Sequence, residues 1–150
     1  MLKVEISCEI RRPVEDVFAY ATDPAKTPEW KTSVFESRAE PVGPMRVGTK
    51  IHTVMRLLGR RIESTAEITE LVPNRKLMQK TNSPFSVEVT CLAEPTSAGT
   101  KVTATAVAEP GGFFKMAEPV LARIVKKQGQ AELETLKELL EAREPATLGN

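Results

Sequence analysis

Side chains capable of acid–base, nucleophilic or metal chemistry are sparse in this sequence. There is one histidine, His52, and there are two cysteines, Cys8 and Cys91. All three lie in stretches where apolar and polar residues alternate, which is typical of half-buried strands. The alternation places His52 on the solvent face and both cysteines among apolar residues, as buried free thiols, with a disulfide as the open alternative. Histidine and cysteine are too few for a Cys/His zinc site, so no metal site is predicted.

Carboxylates offer the other possible chemistry. Glu63, Glu67 and Glu70 are close enough in sequence to suggest paired carboxylates for general acid–base catalysis. Glu63 and Glu67 alternate with apolar residues, however, so we expect both to be solvated. The glycines of GPMRVG at 43–48 precede no helix, which indicates a loop rather than a phosphate-binding turn. The sequence therefore predicts no catalytic residue and no cofactor.

The composition describes one globular domain with little net charge. A chain of 150 residues, 41% hydrophobic and 27% charged, can bury its own core. Its 21 Lys and Arg against 20 Asp and Glu argue against nucleic acid as a partner. Charges begin at Lys3 and no apolar run approaches the roughly 20 residues of a membrane span, so neither a signal peptide nor an integral membrane segment is predicted. We expect a cytoplasmic protein, monomeric or weakly homodimeric.

The elements that must position these residues follow from two periodicities. Residues 2–10 alternate as a strand, 13–23 carry a helical apolar stripe, and a second short helix or turn ends near Trp30. From residue 33 the period is two, with turn signals between six strand-like runs. These runs are 33–40, 48–58, 60–72, 75–82, 85–94 and 100–109.

The helical period returns after Gly112, and Pro119 suits the first turn of a long helix. The apolar face predicted for that helix consists of Val120, Leu121, Ile124, Val125, Ala131, Leu136, Leu139 and Leu140. Only this helix is long enough to cover one face of a seven-stranded antiparallel sheet, and a helix of about 25 residues runs roughly 37 Å. The predicted class is α+β, with the sheet curved around the helix, residues 1–144 as one domain and 145–150 as a flexible tail.

Four stretches carry a resemblance to a known family: RPVEDVFAYATDPAKTPEW, GTKIHTVMRLLGRRIESTAEITELVPNRKL, CLAEPTSAGTKVTATA and AELETLKELLE. In this order they cover nearly the whole chain, which resembles the START-like (SRPBCC) helix-grip superfamily and, within it, the polyketide cyclase/dehydratase-like group. The resemblance implies a cavity between the sheet and the long helix. In that superfamily the cavity carries lipids, sterols, quinones, plant hormones or polyketides, and a minority of members perform cyclisation or dehydration.

Strand parity selects the side chains that would face such a cavity. Small residues such as Ala66, Ala104 and Ala106 would leave space for a ligand. In the strand at 75–82 we choose the face of Leu77, Gln79 and Thr81, because the opposite choice would bury two lysines. The predicted ligand-binding residues are Trp30, Ile51, Thr53, Met55, Ser64, Ala66, Gln79, Val89, Ala104, Ala106, Phe113 and Ile124.

Several residues near the cavity admit two interpretations. Trp30 is either a core anchor for the second helix or a stacking surface at the pocket mouth. Tyr20 lies off the apolar stripe of its helix, so we expect a partly exposed flank. Gly129 inside the long helix reflects either a close approach to its neighbours or simple tolerance. An apolar lid or core packing would explain Phe113, Phe114 and Met116.

The leading hypothesis is a protein that binds or carries a small hydrophobic molecule that is lipid-, quinone- or polyketide-like. The alternative is a cyclase or dehydratase acting in the same cavity, where bound pose and polar groups such as Thr53, Ser64 or Gln79 would supply orientation. A third hypothesis is an interaction subunit that works through the outer sheet face or an edge strand. The missing acid–base pair favours the first.

Overall fold

The computed structural model describes residues 1–82 and 85–143, so the tail predicted at 145–150 lies outside the described residues. The order of strands and helices is the predicted one, with small shifts at the ends. The elements are β1 (Leu2–Ile10), α1 (Val14–Ala21), α2 (Thr27–Trp30), β2 (Val34–Glu40), β3 (Lys50–Leu57), β4 (Arg60–Val72), β5 (Lys76–Thr81), β6 (Ser86–Pro95), β7 (Thr100–Glu109), α3 (Phe113–Met116) and α4 (Glu118–Ala142).

The seven strands form one antiparallel sheet in the order β1-β7-β6-β5-β4-β3-β2. Sequential strands are neighbours because their connections are short, and β1 returns to pair with β7. The register places Ala106 between Val4 and Val89 and sets Gln79 opposite Val89. Side chains paired across a sheet share a face. The face chosen for 75–82 is therefore confirmed, and the inward residues chosen by parity lie on one surface.

Helix α4 lies against this surface and is held from both edges of the sheet. At the β1 edge, Gln130 Nε2 donates to the Ser7 carbonyl and Lys137 Nζ to the Glu9 carbonyl, each at 3.0 Å. These bonds also occupy carbonyls of an edge strand that would otherwise be free to pair with another chain. At the opposite edge, just before β2, Ser33 donates to Glu132 of α4. Helix α4 is thus bonded to the β1 edge and to the segment that leads into β2, and the sheet curves around it.

Gly129 marks a close approach between α4 and β1. A Cβ built on this glycine would lie 2.8 Å from Ile6 Cδ1, closer than side-chain contacts allow. The absence of a side chain lets the helix axis lie near the sheet at this point. Of the two interpretations of Gly129, close packing is the one that the geometry supports.

Tyr20 is buried, so the prediction of a partly exposed flank is wrong. Its side chain is only 7% exposed, and its hydroxyl donates to Glu29 Oε1 at 2.5 Å. The guanidinium of Arg143 lies over the ring, 5.1 Å from its centroid. Helix α1 is therefore covered on a second side by α2 and the end of α4, which the period of α1 alone does not reveal. Burial raises the pKa of Tyr20 to about 12, and the bond to Glu29 adds to this effect.

The apolar face of α4 also differs in part from the predicted one. Val120 is 53% exposed, and Ala131 lies on the solvent side. Leu121, Leu136 and Leu140 are buried as predicted, and Glu132 and Leu133 are buried in addition. A helix that lies on a sheet buries a stripe rather than half its circumference, and Val120 and Ala131 fall outside that stripe.

Three groups of buried side chains form the core. The first joins α1, α2 and the second half of α4 to β1 and β7, and consists of Cys8, Ile10, Val17, Tyr20, Trp30, Val102, Leu133, Leu136 and Leu140. The second lies under α3 and the start of α4, and consists of Leu2, Val4, Ile62, Ala108, Phe114 and Leu121. The third packs α1 on the middle strands, and consists of Phe18, Ile51, Ile68, Leu77 and Ala93.

Candidate functional site

The centre of the concave sheet face is the candidate site. Its side chains belong to none of the three core groups, although buried groups surround them. Each of them keeps partial exposure to solvent rather than being buried. These central residues are Thr53, Ser64, Ala66, Gln79, Val89, Ala104 and Ala106. An inner face that is covered at its margins and accessible at its centre is what a cavity between sheet and helix requires.

The chemistry of this central face is apolar with a few neutral polar groups. Thr53 and Ser64 are directly opposite each other across β3 and β4, so their hydroxyls share one patch. Gln79 adds an amide on the same face from β5, the strand next to β4. The remaining side chains are alanines and a valine. Such a surface can contact an apolar molecule and orient it by hydrogen bonds, but it holds no carboxylate or imidazole for proton transfer.

Cys91 lies beside the central face, opposite Ala104 and Leu77. Burial raises the pKa of its thiol, yet its side chain keeps partial exposure. The thiol is therefore largely surrounded by protein at the edge of the central face. Cys8 lies under α4, where burial raises the pKa of its thiol to about 11, with Glu134 adding to the effect. Both cysteines are free thiols, as predicted.

Raised thiol pKa values predict slow alkylation of the folded protein. The thiolate is the reactive form, so at pH 8 a thiol with a pKa of about 11 is ionised about a hundredfold less than one at 9. In a Cys91→Ala variant, we expect iodoacetamide to modify Cys8 about a hundredfold more slowly in the folded than in the urea-unfolded chain. The rate should rise with pH towards 11. Equal folded and unfolded rates would contradict the burial of Cys8.

The raised pKa of the Cys8 thiol also makes the free energy of unfolding depend on pH. A thiol whose folded-state pKa is raised contributes stability that is complete below its unfolded pKa of 9.0. That contribution is lost as the pH rises from there through about 11. Unfolding of the same variant between pH 8 and 11 should therefore show declining stability.

The other predicted ligand-binding residues lie around the margin of the central face. Trp30 is 6% exposed within the first core group, which supports the anchor interpretation. Ile51 is buried in the third group, and Met55 packs against the second. Ile124 is partly buried on α4. The structure thus brings these residues to the rim of the candidate cavity, while their contact with a ligand stays a prediction.

The aromatic residues of α3 divide between core and surface. Phe114 is buried, and its ring centroid lies 5.2 Å from that of Phe85. Phe113 is 45% exposed, with the Arg60 guanidinium 4.0 Å from its ring centroid, and Met116 is 87% exposed. Of the predicted lid, only Phe114 closes over the core. Phe113 lies outside it, beside the turn between β3 and β4, because the four-residue α3 can direct only one of its two phenylalanines inward.

Glu132 is the residue that the sequence interpretation missed. It is 7% exposed, the most deeply buried carboxylate among the described residues, and it lies on α4 beside the start of β2. Ser33 donates to Glu132 Oε2 from its backbone N at 3.1 Å and from its hydroxyl at 2.8 Å. The signal was its spacing, since Glu132 precedes Leu136 by one helical turn and Leu140 by two.

His52 lies on the outer face, as predicted. Its Nδ1 is 2.9 Å from Thr65 Oγ1 and its Nε2 is 2.6 Å from Glu40 Oε1. The hydrogen bond from His52 holds the pKa of Glu40 below its ordinary value. Glu63 and Glu67 are also exposed, and Glu63 pairs with Arg61 at 2.6 Å.

Two open grooves are lined mainly by charged and polar side chains, and the larger of the two also includes Thr53 and Ser64 of the central face. One, of about 550 Å³, runs over the outer side of β3 and β4 and includes His52 and Arg38. The other, of about 480 Å³, follows the solvent side of α4 and includes Arg123 and Lys126. Both are open to water and edged by charged side chains, which suits an apolar ligand poorly. The charged outer groove also weakens the hypothesis of an apolar interaction surface there.

Metal ligation and membrane crossing both require features that the described residues do not show. Within 1–82 and 85–143 no group of three or more His, Cys, Asp or Glu is arranged to hold a metal ion. In the same residues, no helix has the length and apolar character that crossing a bilayer requires.

The fold has many solved relatives of low sequence identity. A protein from Thermus thermophilus is 19% identical with a TM-score of 0.77, over 94% of this chain and 99% of that chain. A protein from Rhodobacter sphaeroides is 20% identical with a TM-score of 0.74, over 95% and 94%. Ara h 8.0201 is 12% identical with a TM-score of 0.72, over 94% and 98%. These similarities show the fold.

Sequence comparison identifies the family. No curated protein matches the sequence. The family model described as "Polyketide cyclase / dehydrase and lipid transport" matches residues 1–141, nearly the whole described chain. The helix-grip architecture, with the partly exposed centre of its concave sheet face, agrees with that match. The chain therefore belongs to the polyketide cyclase/dehydrase and lipid transport family, within the SRPBCC-type helix-grip proteins.

Proposed function

We propose that this protein binds or carries a small hydrophobic molecule in the space between the concave sheet face and α4. The observation that carries the proposal is the partial exposure of Ala104, Ala106 and Val89, which lie mid-sheet with buried core on several sides. Apolar side chains at such a position would ordinarily be covered, because burial of apolar surface drives folding. A ligand would provide the missing cover. The family's description, which includes lipid transport, supports the same class of function.

The test is mass spectrometry of the protein purified gently from its own host. Native spectra should show a stoichiometric small apolar compound, and denaturation should release it and identify its class. Binding of a neutral fluorescent probe, N-phenyl-1-naphthylamine, to ligand-free protein should confirm an accessible apolar site. An experimental structure with a solid interior, holding no cavity above about 150 Å³, would contradict the proposal, since ligand pockets are usually about 300–1,000 Å³.

The second candidate is a cyclase or dehydratase acting in the same space. Glu132 favours it, because a buried carboxylate is a group that could move a proton on a bound substrate. The family's description names this activity class as well. Protein that is bare when purified from its host would point to a transiently bound substrate and so to this candidate. A retained ligand that leaves unchanged would favour the carrier.

A further inference from the structure

The stretch that joins α3 to the start of α4 leaves large apolar side chains in water. Met116 is 87% exposed, Val120 53% and Phe113 45%. They lie in consecutive helical turns, in which Ala117 N donates to the Phe113 carbonyl and Val120 N to the Ala117 carbonyl. Single exposed apolar residues are common, whereas a group of them marks an interaction site.

Basic side chains accompany these apolar residues without carboxylate partners. They are exposed and form no ion pair within residues 1–82 and 85–143: Arg60, Lys115, Arg123, Lys126 and Lys127. The Arg60 guanidinium lies 4.0 Å from the centroid of the Phe113 ring, which holds positive charge against an apolar side chain. The one acidic residue between 113 and 130, Glu118, lies 3.5 Å from the amino-terminal nitrogen. We call the three apolar and five basic residues the α3–α4 surface.

The charge of α4 changes sign along the helix. Up to Gln130 its basic residues outnumber Glu118, whereas from Ala131 onward Lys137 faces an acidic excess of Glu132, Glu134, Glu138 and Glu141. The whole chain carries a net charge of only +1, so the positive charge is concentrated locally. The end of the molecule at α3 is therefore basic and apolar at once.

We infer that the α3–α4 surface docks on a membrane that contains anionic phospholipids. Phe113, Met116 and Val120 enter the headgroup region, and the basic side chains contact lipid phosphates. Proteins that lie on a bilayer combine these two features, because apolar insertion and attraction to anionic lipid add together. An acidic protein surface would satisfy the charges but would leave Met116 without apolar contact. This inference goes beyond the proposed binding function and does not depend on it.

The α3–α4 surface lies at one end of the candidate site. Phe114 and Leu121 pack with Ala108 in the second core group. Ala108 follows Ala106 on the same face of β7, and Ala106 belongs to the central face. A docked protein would hold this end of the concave face towards the bilayer, where hydrophobic molecules concentrate.

Co-sedimentation of the full chain with vesicles tests the role of charge. At about 50 mM salt, wild-type protein should bind vesicles of one part phosphatidylglycerol and two parts phosphatidylcholine at least tenfold more tightly than vesicles of phosphatidylcholine alone. About 0.5 M salt should remove most of this preference. Lys126→Gln combined with Lys127→Gln should weaken binding at least tenfold. Lys80→Gln combined with Lys101→Gln removes the same charge from the outer sheet face and should bind within about twofold of wild type.

Substitution of the exposed apolar residues tests insertion. Met116→Asn should weaken binding to the phosphatidylglycerol vesicles at least threefold, because less apolar surface leaves water. Val42→Asn, at a 95% exposed site between β2 and β3, should have no effect. In Val120→Trp the added tryptophan should shift its emission to the blue when these vesicles are added, whereas that of Val42→Trp should not. Trp30 is buried and contributes a constant signal.

Two results would overturn the docking inference. One is wild-type protein that stays in the supernatant at low salt, or control lysine variants that lose as much binding as the variants on α4. The other is binding that depends on the lysines alone, with no loss in Met116→Asn and no blue shift in Val120→Trp, as expected for attraction to any acidic surface. Binding of N-phenyl-1-naphthylamine is measured without vesicles, so failure of the proposed binding function is seen separately.

Discussion

Replacing Gly99 by alanine should cost more than about 3 kcal/mol of unfolding free energy, and the midpoint of urea unfolding should fall accordingly. A Cβ at this position would lie 2.2 Å from the Ile10 carbonyl oxygen and 2.8 Å from Arg11 Cα. These are backbone atoms, which cannot move aside as a side chain can. The φ of Gly99 is +158°, which L-residues rarely adopt. Overpacking costs about 1–3 kcal/mol and backbone strain a similar amount, against a total stability of about 5–15 kcal/mol.

Gly111→Ala is the matched control for this prediction. Its Cβ would have no heavy atom within 4 Å, and its φ lies outside the positive range. We expect its unfolding free energy to change by less than about 0.5 kcal/mol, as is usual for surface substitutions. Urea unfolding followed by circular dichroism measures both variants. Equal stability of the two would show that the turn between β6 and β7 does not press against the connection between β1 and α1.

Leucine substitutions at Ala106 and Ala108, two residues on the same face of β7, should differ in their effects on stability and on probe binding. Ala106 lies on the accessible central face, whereas Ala108 is 5% exposed within the second core group. We expect Ala108→Leu to destabilise the protein by about 1–3 kcal/mol, because added methylenes overpack a filled core. Ala106→Leu should cost less than about 1 kcal/mol, since its side chain enters the unfilled space. It should also weaken binding of N-phenyl-1-naphthylamine at least tenfold by occupying the site.

The two outcomes together locate the cavity even while its natural ligand is unidentified. Urea unfolding gives the stability of each variant, and fluorescence titration gives probe affinity. Equal destabilisation by both leucines would mean that the centre of the face is as well packed as its end. Normal probe binding to Ala106→Leu would place the apolar site elsewhere in the molecule.

Much of the fold was predictable because its signals are local. Alternation assigned each strand and its inward face, including that of Gln79, because successive side chains of a strand point to opposite faces. The same rule placed His52 outside. The sequence also marked Pro95 to Gly99 as a turn, but not the contact of Gly99 with Ile10, which joins segments far apart in the chain.

The sequence by itself determined the order of elements, the polarity of each sheet face and the small side chains at the centre of the concave one. Only the tertiary structure decided which groups were covered. Tyr20 is buried beside α2, Phe113 faces outward, and Glu132 is enclosed where it accepts a hydrogen bond from Ser33. The physical reason is that periodicity reports one face of one element. The burial of a residue depends on where other elements dock, and that is fixed by packing between segments distant in sequence.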